Sequence, residues 1–252
     1  MTPPELDLQR TALFLDFDGT LARIVPRPEL AVLSSATRRA LARLQEGTCG
    51  AIAVLSGRDL GDLERHLAPL ALPAAGSHGL EWRDAGGHVH PVPPPDGALA
   101  EAMRELSAFA EAHGLFVEHK RGGASLHYRS HPELGADCRK LGDRIRRRSP
   151  GLRVLRGHMV VEVTLAGRDK GHALAAFMEG PPFRGRVPVA VGDDVTDEDA
   201  FAAAQRLGGA GIKIGPGATR AQHRMPDFDA FHAWLNELAD GLHKPRQKDE
   251  AT

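Results

Sequence analysis

Cysteine is nearly absent from this chain: Cys49 and Cys138 are the two found in 252 residues. They lie far apart and lack the spacing of a metal-binding pair, so neither a disulfide framework nor a thiolate metal centre is expected. Both read as reduced, small apolar residues of a cytosolic protein. Long hydrophobic runs are missing as well, and none approaches the roughly 20 residues that span a bilayer. The opening Met1-Thr2-Pro3-Pro4-Glu5 has no basic region and no long apolar run behind it, so no signal peptide is expected. Charge of one sign is not in excess. A formal net charge of -1 gives no bulk electrostatic case for nucleic acid or an anionic membrane as partner. The local cluster Arg144, Arg146, Arg147 and Arg148 reads as a solvated helix face. There are no internal repeats and no low-complexity tracts. What is left is a globular chain of one large or two smaller domains, expected to be cytoplasmic and monomeric.

What is present begins with Ala12-Leu13-Phe14-Leu15, an apolar run that ends abruptly in Asp16-Phe17-Asp18-Gly19-Thr20. An apolar run bounded by polar turn residues predicts a buried strand. In an open α/β sheet, ligands sit beyond the carboxyl ends of strands, where this acidic loop falls. Asp16 and Asp18 are two apart, so their side chains can point to the same side near the strand end. Such a pair repels unless a cation or a proton lies between the two. A hard cation such as Mg²⁺ would take the oxygens. Alternatively, one ionised and one protonated carboxyl make a nucleophile and a general acid. A bare Asp-x-Asp also suits an acidic surface turn or a Ca²⁺ loop.

The rhythm that follows narrows the choice. A loop over 21–33 leads to a helix over 37–46, a buried strand over 51–55 ending at Ser56-Gly57-Arg58, and a helix over 59–67. Strand and helix in alternation predict a parallel sheet with right-handed crossovers. The middle breaks that pattern. Residues 76–82 and 88–90 predict a hairpin turning at Gly86-Gly87, and Pro91-Val92-Pro93-Pro94-Pro95 a stiff, extended boundary. The order helix (98–113), strand (115–119), strand (124–129), helix (132–148), strand (152–155), strand (160–164) then predicts a separate α+β unit, an antiparallel sheet with two helices on one face. From Arg168 the first rhythm resumes. Asp169 can cap a helix through Met178. A buried strand over 187–191 ends in Gly192-Asp193-Asp194-Val195-Thr196-Asp197-Glu198-Asp199. A last short strand is expected over 210–214, a closing helix over 228–242, and a frayed polar tail from His243. The boundaries drawn are 1–97 with 168–252 for the α/β core and 98–167 for the insert.

Alone, each polar loop has a bland account. Ser56 suits a turn or cap, Lys170 a solvated first turn, and Thr196-Asp197-Glu198-Asp199 a capping box. That box leaves Asp193 and Asp194 unexplained. Together the loops describe one cavity. Its carboxylates can hold a divalent cation, while the Ser56 hydroxyl and the Lys170 ammonium neutralise a phosphate. Phosphoryl transfer needs mainly positioning and charge stabilisation. An aspartate nucleophile would split hydrolysis into two easier steps through an aspartyl-phosphate.

Asp16-Phe17-Asp18-Gly19-Thr20, Ser56-Gly57-Arg58, Lys170-Gly171 and Gly192-Asp193-Asp194-Val195-Thr196-Asp197-Glu198 resemble the four ordered motifs of the haloacid dehalogenase-like phosphatases. That resemblance implies a Rossmann-like core with an inserted type IIB cap. It implies Asp16 as nucleophile and Asp18 as general acid and then base. Thr20, Ser56, Gly57 and Lys170 would hold the phosphate. Mg²⁺ would lie on Asp16, Asp193 and the carbonyl of Asp18, with Asp197 nearby. Within that superfamily, the last motif, Gly76-Ser77-His78-Gly79-Leu80-Glu81, Val117-Glu118-His119-Lys120, Leu126-His127-Tyr128-Arg129 and Val161-Glu162-Val163 are similar to the trehalose-6-phosphate phosphatases. This implies trehalose 6-phosphate as substrate, with Arg58, His78, Glu118, Lys120 and Glu162 on the sugar. The charged groups would make the stronger hydrogen bonds to its hydroxyls. Sucrose phosphate or mannosylphosphoglycerate would suit the same chemistry. A phosphomutase, or a sugar-phosphate binder without activity, would share the scaffold.

Overall fold

The structure is a computed structural model that describes residues 3–25, 27–91, 97–120, 122–157, 159–166 and 168–241. Most of the expected proline stretch, the polar tail from His243 and the side chain of Lys120 fall outside them.

In chain order the elements are β1 (Thr11–Asp16), α1 (Ser35–Gly47), β2 (Ile52–Leu55), α2 (Leu60–Leu67), β3 (Ala74–Gly76), β4 (Glu81–Arg83) and β5 (Val89–His90). The middle supplies α3 (Gly97–His113), β6 (Phe116–Lys120), β7 (Gly123–His127), α4 (Gly135–Arg148), β8 (Leu152–Gly157) and β9 (Val160–Leu165). Then come α5 (Lys170–Glu179), β10 (Val187–Gly192), α6 (Glu198–Arg206), β11 (Ala210–Ile214), β12 (His223–Met225) and α7 (Phe228–Gly241). The chain forms two compact units, one of Met1–Val89 with Lys170–Thr252 and a second of His90–Asp169.

The larger sheet runs β12-β11-β10-β1-β2-β3-β4-β5. From β12 through β3 every neighbouring pair is parallel, and β4 turns back against β3. β1 is buried over its whole length, as an unbroken apolar run requires of a strand covered on both faces. Its alternation assigns the layers. Leu13 and Leu15 pack with Leu41 and Leu44 of α1, Leu63 of α2 and Phe231 of α7. Ala12 and Phe14 pack on the other side with Phe177 of α5 and Phe201 of α6. β1 lies between β2, reached through α1, and β10, reached only after the insertion. That reversal of strand order is the switch point at which such sheets open a ligand crevice.

The insert forms its own sheet, β6-β7-β9-β8, antiparallel throughout. One face packs Ala124, Leu126, Val161 and Val163 against Leu99, Leu106, Cys138, Leu141 and Ile145 of α3 and α4, which is the expected two-helix layer. Arg144, Arg146, Arg147 and Arg148 lie on α4, with Arg148 paired to Glu105 of α3.

Several expectations are corrected. The expected strand over 76–82 is broken. Gly76 ends β3, Ser77–Gly79 is a 3-10 turn with His78 at φ 58°, and β4 starts at Glu81. The loop after β2 causes the break, because the Ser77 and His78 N–H groups donate to the Arg58 and Ser56 carbonyls. β12 pairs with β11 beyond the strand expected to be last; three residues are too few to show a period. The helix expected from Pro132 begins as a 3-10 turn, and α4 proper starts at Gly135. Cys138 is buried, but Cys49 is exposed, in a left-handed turn at φ 50°.

Candidate active site

Four side chains meet at the carboxyl ends of β1 and β10. Asp16 closes β1, Asp193 follows β10, Asp197 ends the 3-10 turn before α6, and Lys170 opens α5. Asp16, Asp197 and Lys170 are all nearly fully buried. The Lys170 Nζ donates to Asp16 Oδ1 at 2.6 Å and to Asp197 Oδ1 at 2.6 Å. Asp16, Asp193 and Asp197 each offer an oxygen, and the three oxygens lie within 4.8 Å of one another. Lys170, expected beside the phosphate, is thus the hub of the carboxylate cluster.

The electrostatics follow from that crowding. Three carboxylates against one ammonium leave an excess of two negative charges in a buried place. Burial first, and then the Asp197 charge, push the Asp16 carboxyl well above its usual range, against the pull of Lys170. Burial and Asp197 likewise raise Asp193 to about 6. Burial alone would lower Lys170, but Asp16 and Asp197 outweigh it and hold the ammonium well above its usual value. The donor set is all oxygen and hard, and its surplus charge is that of one dication. These residues fit a divalent metal ion such as Mg²⁺.

The loops that carry these groups are held by their own backbones. Gly19 sits at φ 82°, and a Cβ there would lie 2.2 Å from Asp193 Oδ2. Only glycine tolerates both the conformation and the approach. The Thr20 hydroxyl, expected on the phosphate, donates to Asp193 Oδ1 at 3.3 Å. The Ser56 Oγ takes the Arg58 N–H at 3.2 Å. A Cβ on Gly57 would fall 2.5 Å from the His78 ring, so the imidazole lies directly over that glycine. The capping box comes earlier than expected: Asp197 Oδ2 accepts the Asp194 N–H at 2.9 Å, and α6 starts behind it.

Arg58 is the main surprise. Its guanidinium grips Asp18 with two bonds of 2.7 Å, from Nε and one terminal nitrogen. The other terminal nitrogen reaches Asp62 at 2.6 Å, and the fork lies over the Phe17 ring. Arg58 is therefore a partner of Asp18 in this structure. Two further residues join the site, Lys213 outside every motif and Glu81 at the end of the Gly76–Glu81 motif without a role assigned to it. Lys213 of β11 is buried and donates to the Asp193 carbonyl; a lysine inside the apolar run Ala210–Ile214 is the signal that could have found it. Glu81, almost fully buried, accepts the Leu60 N–H at the start of α2 and the Ser77 hydroxyl. A cavity of about 490 Å³ beside the cluster is lined by Gly19, Asp193, Lys213 and Phe228 among others.

Of the sugar-side candidates, Arg58 and His78 lie in the first unit, and Glu118, Lys120 and Glu162 in the second. Register places Glu118 of β6, Ser125 of β7 and Glu162 of β9 across from one another, on the face opposite the helices. Glu162 accepts from the Ser125 hydroxyl at 3.2 Å, and Glu118 lies 3.2 Å from His127.

A doubly wound sheet with this acidic pocket at its switch point, plus an inserted α+β unit, defines a haloacid dehalogenase-like fold. A haloacid dehalogenase-like hydrolase from B. subtilis superposes with TM-score 0.68 at 14% identity, over 91% of this chain and 98% of its own. The C-terminal domain of C. albicans trehalose-6-phosphate phosphatase superposes with TM-score 0.80 at 23% identity, over 94% of both chains. The chain belongs to the trehalose-phosphatase family, whose model matches residues 14–227. It is 38% identical to the trehalose-6-phosphate phosphatase of Escherichia coli (strain K12) over 249 residues, covering 98% of this chain and 93% of the relative.

Proposed function

We propose that this chain is a Mg²⁺-dependent phosphatase that hydrolyses trehalose 6-phosphate to trehalose and phosphate through an aspartyl-phosphate on Asp16. The observation that carries the reading is the buried knot of Asp16, Asp193, Asp197 and Lys170. Family membership and the activity for which the Escherichia coli relative is named support the substrate.

Asp16, Asp193 and Asp197 would hold the metal, which when bound offsets the surplus negative charge and polarises the phosphoryl oxygens. An Asp16 oxygen attacks phosphorus, and the bond to the sugar oxygen breaks. Lys170 keeps the nucleophile oriented, with Ser56 and Gly57 at the edge of the phosphate space. Asp18 delivers a proton to the departing sugar oxygen. In the second half Asp18 takes a proton from water, whose oxygen attacks phosphorus and frees Asp16. Both Asp18 oxygens are engaged by Arg58, so one must be released before it can carry the proton. Arg58 thus works on the acid rather than on the sugar. The inserted unit would act as the cap, with Glu118, Lys120 and Glu162 on the trehalose hydroxyls and His78 between phosphate and sugar. Such a lid keeps bulk water from the reacting centre.

The test is phosphate release from trehalose 6-phosphate, sucrose phosphate, mannosylphosphoglycerate and p-nitrophenyl phosphate, with Mg²⁺ and with chelator. Turnover should be fastest on trehalose 6-phosphate and lost on chelation. Asp16→Asn should lose at least about a thousandfold in kcat. An active Asn variant would refute the nucleophile, and isomerised sugar phosphate would point to a mutase.

A further inference from the structure

The loop after β1 closes on itself. The Leu21 and Ala22 N–H groups both donate to the Phe17 carbonyl, at 2.9 and 2.8 Å, and the Gly19 N–H to the Ala22 carbonyl at 2.7 Å. The carbonyl of Thr20, a residue with no exposed surface, is bonded from elsewhere. Its partner is His232 on α7, whose Nε2 lies 2.9 Å away.

The chemistry assigns the tautomer. A carbonyl only accepts, so Nε2 carries the hydrogen and Nδ1 is left as an acceptor. The Thr37 hydroxyl, 3.3 Å from Nδ1, donates to it. Thr37 Oγ1 is itself 2.7 Å from Ser34 Oγ, the group that caps α1 by accepting the Thr37 N–H at 3.0 Å. The ring is wedged in place, stacked on Phe228 at 4.0 Å and edge-on to Phe231 at 5.4 Å. Burial pulls the imidazole below its usual pKa, which agrees with a neutral ring. Beyond the loop, Thr20 donates to Asp193. One line of hydrogen bonds therefore runs from the cap of α1 through α7 and Thr20 to the acidic cluster. His232 lies outside residues 14–227, the span the family model matches.

We infer that His232 is a positioning residue for the catalytic loop: its Nε2–H fixes the Thr20 carbonyl and thereby aims the Thr20 hydroxyl at Asp193. The kinetic consequence rests on the phosphatase reading above; the positioning does not. An imidazole Nε2–H and a glutamine side-chain N–H can reach similar points, whereas phenylalanine keeps only the ring.

The experiment compares the unmutated protein with His232→Phe and His232→Gln by amide hydrogen exchange and by kinetics on p-nitrophenyl phosphate. In H232F the Leu21 and Ala22 amides should exchange about tenfold faster while Leu13 in β1 is unchanged. Its kcat should fall about tenfold with KM moved by less than about twofold. H232Q should recover most of both losses. Thr37→Val, which removes the donor to Nδ1, should speed the same amides by a smaller factor and stands in if H232F does not fold. Exchange at Leu21 and Ala22 unchanged in the variants, or H232Q no better than H232F, would overturn the inference. A protein inactive before mutation would sink the phosphatase reading, and the exchange data would still decide the role of His232.

Discussion

Charge balance at single residues sets how this pocket responds to pH and to metal. Asp193 holds its proton to about pH 6 in the folded chain, against an ordinary value of 3.8. A carboxyl raised in this way adds stability in full below its unfolded value and loses it as pH rises through the folded one. Asp16 shifts in the same direction. The apo protein should therefore lose stability as pH rises from about 4 through 6, and a dication should restore it only where the carboxyls are ionised. Adding Mg²⁺ should raise the melting temperature by several degrees at about pH 8 and very little at about pH 4.5. Equal shifts at both pH values in a scanning calorimeter would contradict the cluster as the metal site. Asp16, Asp193 and Lys170 are legible in the sequence because each is a charge set at a strand end or helix start. Lys213 shows only as a lysine in an apolar run, and His232 not at all, because their partners are main-chain carbonyls 20 and 212 residues away. Arg58 is legible as a site residue, but its partner is not, since two loops 40 residues apart bring it to Asp18.

Elements show the same division. β1, β2 and β10 can be read from apolar runs, because a strand buried on both faces needs nothing else. The turn over Ser77–Gly79 cannot, because it is shaped by bonds to the loop after β2. The two loops are pressed together at Gly57, under the His78 ring. Gly57→Ala would set a methyl group 2.5 Å from His78 Cε1, and the ring would have to give way. We expect a loss of about 1–3 kcal/mol in denaturant unfolding, together with a drop in kcat/KM. A Gly57→Ala protein with unchanged stability and turnover would show that His78 moves freely and has no fixed place over the loop after β2.

At the scale of the whole molecule, the proposed function assigns reaction and recognition to separate units of one chain. Asp16, Asp18, Lys170 and Asp193 belong to Met1–Val89 with Lys170–Thr252, and Glu118 and Glu162 to His90–Asp169. That two-unit layout is legible from the broken strand–helix rhythm, although Glu118 and Glu162 themselves need the family resemblance to stand out. Glu118→Ala and Glu162→Ala should each cut kcat/KM on trehalose 6-phosphate by about tenfold or more and leave p-nitrophenyl phosphate turnover nearly untouched. Equal losses on both substrates would remove these residues from sugar recognition. The parallel pairing of β1 with β10, Thr11 opposite Val187, also bears on how the chain is made. A ribosome delivers β1 before β10, with one edge of backbone N–H and C=O groups unpaired, and must synthesise the entire insert before the strand that covers that edge emerges. Until then β2 can shield only one side, and the other is an open template for mispairing. The insert has a core of its own and can be folded by that time. Its completion during translation would shorten the effective gap that β10 must cross to reach β1.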